Sequence, residues 1–253
     1  MKKLTLLPLV VLLALAGCGG DDGGDSGSRG GSDKLTVLAA SSLTEVFTAF
    51  ASDFEADHDG VEVVLSFGSS TDLAESAADG APGDVLATAD EASMQVAQDA
   101  QVTAQDPVPF ATNKLVIVTA PGNPDGIASL ADLDGTTWVR CADDVPCGRV
   151  AVALLDAQSV TAKAASLEPD VKSTLEKVTS GEADAGLVYS SDAIAAGAAV
   201  DVVEIDGAED ALTTYFIAAL AQSSDATLAS DWIDLVTSEA GQQTMTDAGF
   251  TVP

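Results

Sequence analysis

The fold is decided by residues 34–90, which read KLTVLAASSLTEVFTAFASDFEADHDGVEVVLSFGSSTDLAESAADGAPGDVLATAD. Runs of apolar and β-branched residues, typical of strands, alternate here with amphipathic segments, typical of helices. The strand-like runs are 34–40, 61–67 and 84–90, and the helical segments are 42–57 and 70–80. This β-α-β-α-β order predicts a parallel sheet with helices on its faces.

The first helical segment has a single apolar stripe. The stripe consists of Leu43, Val46, Phe47, Phe50 and Phe54, at positions i, i+3, i+4, i+7 and i+11. Residues at this spacing lie on one face of a helix, so we expect them to pack against the sheet. Core packing is sufficient to explain these aromatic residues.

The second half of the chain repeats the alternation of strands and helices. Its segments are NKLVIVTAP (113–121), TTWVRCA (136–142), GRVAVALLDAQ (148–158), DVKSTLEKVTSG (170–181), AGLVYSS (185–191), VDVVEI (200–205) and TTYFIAALA (213–221). Two helical segments, around 227–238 and 239–249, close the chain. We therefore predict an α/β protein of two lobes, each a mostly parallel sheet flanked by helices, with a ligand cleft between them at the carboxyl ends of the strands. Lobe 1 is predicted to comprise residues 34–112 and 217–253, and lobe 2 residues 113–216.

The N-terminus has the pattern of a secretory signal, predicted over residues 1–17. Lys2 and Lys3 precede an apolar run, Leu4–Ala16, which ends in LAGC. The run is shorter than the roughly 20 residues of a membrane-spanning helix, and no later segment is that long without charges. LAGC resembles the lipobox of bacterial lipoproteins, which predicts acylation of Cys18 and membrane anchoring outside the cytoplasm; cleavage without a lipid is the alternative. Residues 18–33 lack apolar core residues and are predicted to be a flexible tether.

The chain is strongly acidic. It has 10 basic and 40 acidic residues, for a net charge of −30, and removal of the signal leaves 8 basic residues and a charge of −32. Such a charge repels nucleic acid and anionic lipid headgroups, so neither is an expected partner. It also opposes the capture of an anion.

Two cysteines remain after Cys18, namely Cys141 and Cys147 in RCADDVPCG. An oxidising compartment favours a disulfide between them, with free thiols as the alternative. A zinc site is disfavoured because zinc takes four ligands and the chain has one histidine, His58.

Hydroxyl groups follow two strands of the first half. Ser42 with Glu45 has the spacing of a helix capping box. In FGSSTDL, Gly68 allows an unusual turn, and Ser69, Ser70 and Thr71 supply hydroxyls at the next helix start. Capping alone explains either motif, but two at adjacent strand ends favour an anion site, since helix N-termini present free N–H groups.

The second half offers further donors. In DDVPCGRVAVALL, Pro146 and Gly148 bracket a helix start that presents the N–H group of Cys147, and in EPDVKSTL Val171 lies in a first turn and can act only through its backbone. Tyr189 ends a predicted strand. Its hydroxyl can reach a cleft, although a core or rim position is the alternative for this residue taken alone.

These segments together resemble a known family. The runs LAASSLTEVF, FGSSTDLAESAADGAPGDVLATAD, DVPCGRVA, DVKSTLEKV and GLVYSSDA occur in this order over residues 38–193, and AGQQTMTDAGF is similar to the closing helix. They resemble the periplasmic molybdate-binding proteins of ABC importers, which have the type II periplasmic-binding-protein fold. The resemblance covers nearly the whole chain after the tether.

The resemblance implies a set of ligand-binding residues. It assigns hydroxyl donors to Ser42, Ser70 and Tyr189, and backbone N–H donors to Cys147 and Val171. Cys147 stands where many members of the family have alanine, which changes no backbone donor. Because the second serine motif reads GSST, either Ser69 or Ser70 can make the contact.

The chemistry of these donors suits molybdate or tungstate, since every oxygen of an unprotonated dianion accepts hydrogen bonds. Hydrogen phosphate would bury an unpaired donor in a site made only of donors, whereas sulfate differs in size alone and is the main alternative ligand. By the resemblance the partners are an ABC permease and its ATPase, the protein is a monomer, and no cofactor is expected.

Enzymatic activity is disfavoured, because the chain has no G-x-S-x-G motif and its one histidine lies in a polar segment. An iron carrier is disfavoured because such carriers use neighbouring tyrosines, and Tyr189 and Tyr215 are far apart in the sequence.

Overall fold

The computed structural model describes residues 33–253. The predicted signal sequence (1–17), the acylated Cys18 and the tether up to residue 32 lie outside the described residues and stay predictions. Residues 33–253 contain no helix that is long and apolar enough to cross a membrane.

The first sheet forms the centre of lobe 1. Its strands are β1 (Asp33–Ala40), β2 (Val61–Gly68), β3 (Val85–Thr88), β4 (Val108–Asn113) and β10 (Thr213–Ala219). They lie in the order β2-β1-β3-β10-β4. The pairs of β1 with β2 and β3 are parallel, and the pairs of β10 with β3 and β4 are antiparallel, so β10 alone runs in the opposite direction.

The second sheet forms the centre of lobe 2 and has the same topology. Its strands are β5 (Leu115–Thr119), β6 (Trp138–Cys141), β7 (Ser166–Glu168), β8 (Ala185–Tyr189) and β9 (Asp201–Glu204). They lie in the order β7-β6-β8-β5-β9, and β5 is the reversed strand. The predicted two-lobe α/β fold with mostly parallel sheets is confirmed.

Helices cover the faces of both sheets. Those of lobe 1 are α1 (Thr44–Asp57), α2 (Ser70–Ala78), α3 (Glu91–Asp99), α7 (Ala226–Thr237) and α8 (Glu239–Asp247), and those of lobe 2 are α4 (Pro146–Ala157), α5 (Val171–Thr179) and α6 (Ser190–Ala196). The predicted stripe of the first helix is buried from Leu43 to Phe54. It packs on Trp232 of α7, whose ring centroid lies 5.6 Å from that of Phe47.

The chain crosses between the lobes at two adjacent points. Asn113, the last residue of β4, pairs with Thr213, the first residue of β10. The first crossing therefore lies within one residue of the predicted boundary at 112–113. The boundary predicted at 216–217 falls inside β10, because this strand pairs with β4 from its first residue; we assign residues 33–113 and 213–253 to lobe 1 and 114–212 to lobe 2.

Candidate functional site

A cavity lies between the lobes at the carboxyl ends of their strands. It encloses about 220 Å³ of space free of protein atoms, part of it open to solvent. The residues that line this interlobe cavity are Ala40, Ser41, Ser42, Gly68, Ser69, Ser70, Ala89, Val145, Pro146, Cys147, Pro169, Asp170, Val171 and Tyr189. All five residues that the family resemblance predicted are among them.

Ser42 reaches the cavity from a short 3-10 turn, Ser41–Leu43, that precedes α1. Its Oγ atom lies 2.8 Å from the hydroxyl oxygen of Tyr215, and both groups are buried. The capping box predicted from Ser42 and Glu45 is not formed, since α1 has no side-chain cap and Glu45 instead binds Lys172. The serine hydroxyl is thus directed to the cavity side of the turn rather than to the helix backbone.

The second serine motif begins α2. Ser70 Oγ accepts a hydrogen bond from the backbone N–H of Ala89 at 2.9 Å, which leaves its own hydrogen free to donate. Ser69 Oγ is buried and has no hydrogen-bond partner within the described part of the chain. Gly68 does not adopt a left-handed conformation, because it continues β2 in register with Ala40; the unusual turn predicted there is wrong.

Lobe 2 contributes the start of α4. Pro146 is the first helical residue and Cys147 follows it, so the N–H of Cys147 has no acceptor within the helix. A disulfide joins Cys147 to Cys141 at the end of β6, with 5.7 Å between their Cα atoms. The next residue, Gly148, packs closely against the loop that follows β6. A Cβ atom at this position would lie 1.7 Å from the carbonyl oxygen of Ala142.

The start of α5 adds a second set of backbone donors. Val171 is the first helical residue, and Asp170 caps the helix by accepting the N–H of Ser173 at 2.9 Å. Asp170 also lines the cavity. Its Oδ1 atom is occupied by the Ser173 N–H, so the prediction that the site is made only of donors stays a prediction. The residue could have been predicted, since aspartate is a preferred N-cap and directly precedes Val171.

Tyr189 ends β8 and lies against the cavity with 1% of its surface exposed. Its hydroxyl is buried and makes no hydrogen bond of normal geometry among residues 33–253, although the Thr213 side chain lies near enough to act on its pKa. Burial raises the pKa of Tyr189 well above its usual value, and it also raises the pKa of Tyr215. Both hydroxyls consequently keep their protons, and remain donors, near neutral pH.

The two tyrosines are neighbours in the fold, with ring centroids 6.1 Å apart. The distance between the two tyrosines in the sequence therefore does not argue against an iron carrier. Among residues 33–253, no three or more His, Cys, Asp or Glu side chains are grouped so that they could hold a metal ion.

The site as a whole offers hydroxyl and N–H donors from both lobes. Among residues 33–253, no lysine or arginine lines the interlobe cavity. Such an arrangement can satisfy the oxygens of an anion by hydrogen bonds and helix-terminal partial charges, without a cationic side chain.

Comparison with known proteins places the chain in a family. The model of the bacterial extracellular solute-binding proteins matches residues 35–251. The molybdate-binding protein ModA of Mycobacterium tuberculosis is 37% identical over 247 residues, covering 97% of this chain and 95% of the relative. The chain belongs to the bacterial extracellular solute-binding proteins. ModA of Haemophilus influenzae is a more distant relative, 25% identical over 99% of both chains.

Solved structures share the fold of this solute-binding protein. The periplasmic molybdate-binding protein of Azotobacter vinelandii matches with a TM-score of 0.75 and 20% identity, covering 87% of this chain and 99% of the other. The sulfate-binding protein SubI of Mycobacterium tuberculosis matches with a TM-score of 0.74 and 20% identity over 86% of both chains. At these identities the likeness establishes the two-lobe fold alone.

Proposed function

We propose that the protein captures molybdate in the interlobe cavity and delivers it to an ABC importer. One observation carries the proposal: the residues that the family motifs assign to the ligand, although spread over residues 42–189, line one buried cavity. Relatives named as molybdate-binding proteins, 37% identical over nearly the whole chain, support the choice of ligand.

The hydrogen-bonding state of the cavity supports an oxyanion. Ser70 has its acceptor side occupied by Ala89 and its hydrogen available, and the Tyr189 hydroxyl is unpaired. If Tyr215 donates to Ser42, then Ser42 also has its hydrogen available to the cavity. Three hydroxyls and the N–H groups of Cys147 and Val171 would then converge on the oxygens of one ligand.

The acidity of the protein opposes anion binding. The helix N-termini act at contact distance, whereas the field of distant exposed charges is screened over about 8–10 Å at physiological salt. The nearby dipoles would therefore govern the bound state, and the net charge would mainly slow encounter.

Delivery and anchoring extend the proposal. The family and the signal-like N-terminus support a position outside the cytoplasm, with Cys18 acylated and a permease with its ATPase as partners. We infer a monomeric carrier without a cofactor or enzymatic activity, whose cavity also accepts tungstate. Sulfate is the alternative ligand, since it too is an unprotonated dianion.

Isothermal titration of the purified protein with molybdate, tungstate, sulfate and phosphate at one ionic strength tests the proposal. We expect tight one-to-one binding of molybdate and tungstate, and much weaker binding of sulfate and phosphate. Binding of sulfate without binding of molybdate would show that the site is correctly located but that its ligand is sulfate. If none of the four anions binds, the proposal that the protein is an oxyanion carrier is wrong.

A further inference from the structure

The predicted ligand-binding residues are buried between the lobes, so we expect release of a ligand to require that the lobes separate. Of the five predicted ligand-binding residues, none has more than 4% of its surface exposed. The structural question is therefore which contacts across the cleft must break when it opens. Two basic side chains of lobe 2, Arg149 and Lys172, make such contacts.

Lys172 of α5 reaches across the cleft to Glu45 of α1. Its Nζ atom lies 2.8 Å and 2.7 Å from the two carboxylate oxygens of Glu45. On the lobe 2 side the same ammonium group lies 3.0 Å from Oδ1 of Asp192, which is fully buried. Asp192 thus holds the lysine in place, so that its charge is already positioned for Glu45 when the lobes meet.

Arg149 of α4 reaches across the cleft to the start of α3 in lobe 1. Its Nε atom donates to Oδ2 of Asp90 at 2.7 Å, and Nη2 donates to Oγ of Ser93 at 3.0 Å. Asp90 is fixed as the cap of α3, because its Oδ1 accepts the N–H of Ser93 at 2.9 Å. Arg149 is fixed on its own lobe by a bond from Nη1 to the carbonyl of Asp144.

The ion pairs of Arg149 and Lys172 act against the electrostatic repulsion between two negatively charged lobes. Lobe 1 has one basic residue against 20 acidic ones, and lobe 2 has six against 17, so both are strongly negative. Within residues 33–253, the ion pairs of the other basic side chains stay inside one lobe, as Lys177 with Glu182 and Arg140 with Asp143 do. Only those of Arg149 and Lys172 join the two lobes.

Both residues also adjoin the proposed ligand donors. Lys172 directly follows Val171 in the first turn of α5, and Arg149 lies two residues after Cys147 in the first turn of α4. Across the cleft, Thr71 of α2 follows Ser70 and donates to the carbonyl of Asp144 at 2.9 Å. The helix starts that would bind the ligand are therefore the same ones that join the lobes.

We propose that Arg149 and Lys172 are positioning residues that hold the lobes together around the bound oxyanion and so set its rate of release. The inference rests on the proposed function. It assigns the two residues no contact with the ligand. Their loss is expected to accelerate dissociation, because these contacts join the lobes and must break before an enclosed ligand leaves.

Dissociation of radioactive molybdate, chased with excess unlabelled molybdate, tests the proposal in the purified protein. Glu45→Gln removes the carboxylate across the cleft and keeps the pair of Lys172 with Asp192. We expect release to be about 2- to 5-fold faster, as for a partly exposed ion pair. Arg149→Gln removes several charge-assisted bonds and should accelerate release by about 10-fold or more.

Matched controls break ion pairs that lie within lobe 2 and do not cross the cleft. Glu182→Gln removes the partner of Lys177 on α5, and Arg140→Gln removes the partner of Asp143 near α4. Both should release molybdate at the wild-type rate. The melting temperature of each ligand-free variant shows whether the variant is folded. A variant that melts like the wild type but releases molybdate faster has lost closure of the lobes and not its fold.

The outcomes distinguish this inference from the proposed function. Wild-type protein that binds molybdate, together with Glu45→Gln and Arg149→Gln variants that release it at the wild-type rate, overturns the inference alone. Equal acceleration in the control variants overturns it as well. A wild-type protein that binds no molybdate overturns the proposed function and this inference with it.

Discussion

Tyr189 places a protonated hydroxyl in the interlobe cavity without a partner among the described residues. Tyr189→Phe should therefore weaken molybdate binding by about 10- to 150-fold, the equivalent of about 1.5–3 kcal/mol for a lost bond to a charged group. Because the hydroxyl makes no hydrogen bond of normal geometry among residues 33–253, the melting temperature without ligand should hardly change. Calorimetric titration and thermal unfolding measure the two effects.

Ser69→Ala is the matched control, since Ser69 Oγ is also buried and unpaired. If Ser70 makes the ligand contact, Ser69→Ala keeps the wild-type affinity. An affinity loss equal to that of Ser70→Ala would move the contact to Ser69. Unchanged affinity in Tyr189→Phe would remove Tyr189 from the site.

Ser42→Ala, unlike Tyr189→Phe, is expected to lower the free energy of unfolding of the ligand-free protein. Its hydroxyl pairs with that of Tyr215 in the core, so the variant leaves a buried donor without this partner. We expect weaker molybdate binding together with a loss of about 1–3 kcal/mol in the free energy of unfolding. Urea unfolding and titration of the same sample check both, and an unchanged stability would show that the bond to Tyr215 contributes little.

Asp192 gives the protein a dependence on pH. Burial raises the pKa of its carboxyl group to about 6, although Lys172 beside it acts in the opposite direction and Glu45 adds to the rise. The unfolded chain loses this proton near its ordinary value of 3.8, so stability from this group is present below that pH and is lost as the pH rises to the folded value. The loss is on the order of 3 kcal/mol.

Asp192→Asn should remove this dependence. We expect the free energy of unfolding of the wild type, relative to the variant, to fall between about pH 4 and pH 6, because other groups titrate alike in both proteins. Urea unfolding of the ligand-free proteins across this range measures the difference. A difference that is constant with pH would contradict a raised pKa for Asp192.

Residue identities at the site could be predicted because the family motifs specify them and the structure places them together. The role of Asp170 was missed, since its capping function was not considered next to Val171. The contacts of Arg149 and Lys172 could not be predicted, because their partners are on the other lobe and no local pattern links them.

At the scale of elements, the start of α4 is fixed by how closely it approaches the loop after β6. Gly148→Ala would place a Cβ atom 1.7 Å from the Ala142 carbonyl oxygen and must displace the helix start that carries Cys147. We expect molybdate binding to weaken at least 10-fold, because sub-ångström shifts of donors reduce binding. Calorimetry checks this change.

Gly68→Ala is the control at a glycine that lines the cavity. A Cβ atom there would meet Leu73 at no less than 3.7 Å, an ordinary contact, and the backbone is not left-handed. This variant should bind nearly as the wild type does. Equal losses in both variants would show that the position of the α4 start is not what weakens binding in Gly148→Ala.

The elements themselves were largely predictable, since apolar periodicity defines most of the strands and helices. The capping box at Ser42 was wrong because tertiary contacts claim both of its side chains. The second lobe boundary was misplaced by four residues, as sequence alone does not show that TTYFIAALA pairs with β4.

At the scale of the whole molecule, a net charge of −30 repels a dianion at long range. The association rate of molybdate should therefore rise with ionic strength, by about 2- to 10-fold between 10 and 150 mM sodium chloride, as screening shortens the range of the field. Stopped-flow measurement with a salt free of tetrahedral oxyanions tests this. A rate that falls with salt would indicate a local attractive field at the cleft.

The two-lobe arrangement followed from the repeated α/β order, but the closeness of the lobes did not. Residues that belong to different lobes, such as Ser70 and Cys147, come together only because the two crossings at Asn113 and Thr213 lie side by side. Such long-range geometry has no signature in local sequence.

X-ray diffraction at the molybdenum absorption edge, from crystals of the protein grown with molybdate, would locate the bound anion. We expect one anomalous peak in the interlobe cavity, with ligand oxygens within hydrogen-bond distance of the Ser42, Ser70 and Tyr189 hydroxyls and of the Cys147 and Val171 backbone N–H groups. A peak outside the cavity, or a cavity without molybdenum while the anion binds in solution, would contradict this expectation.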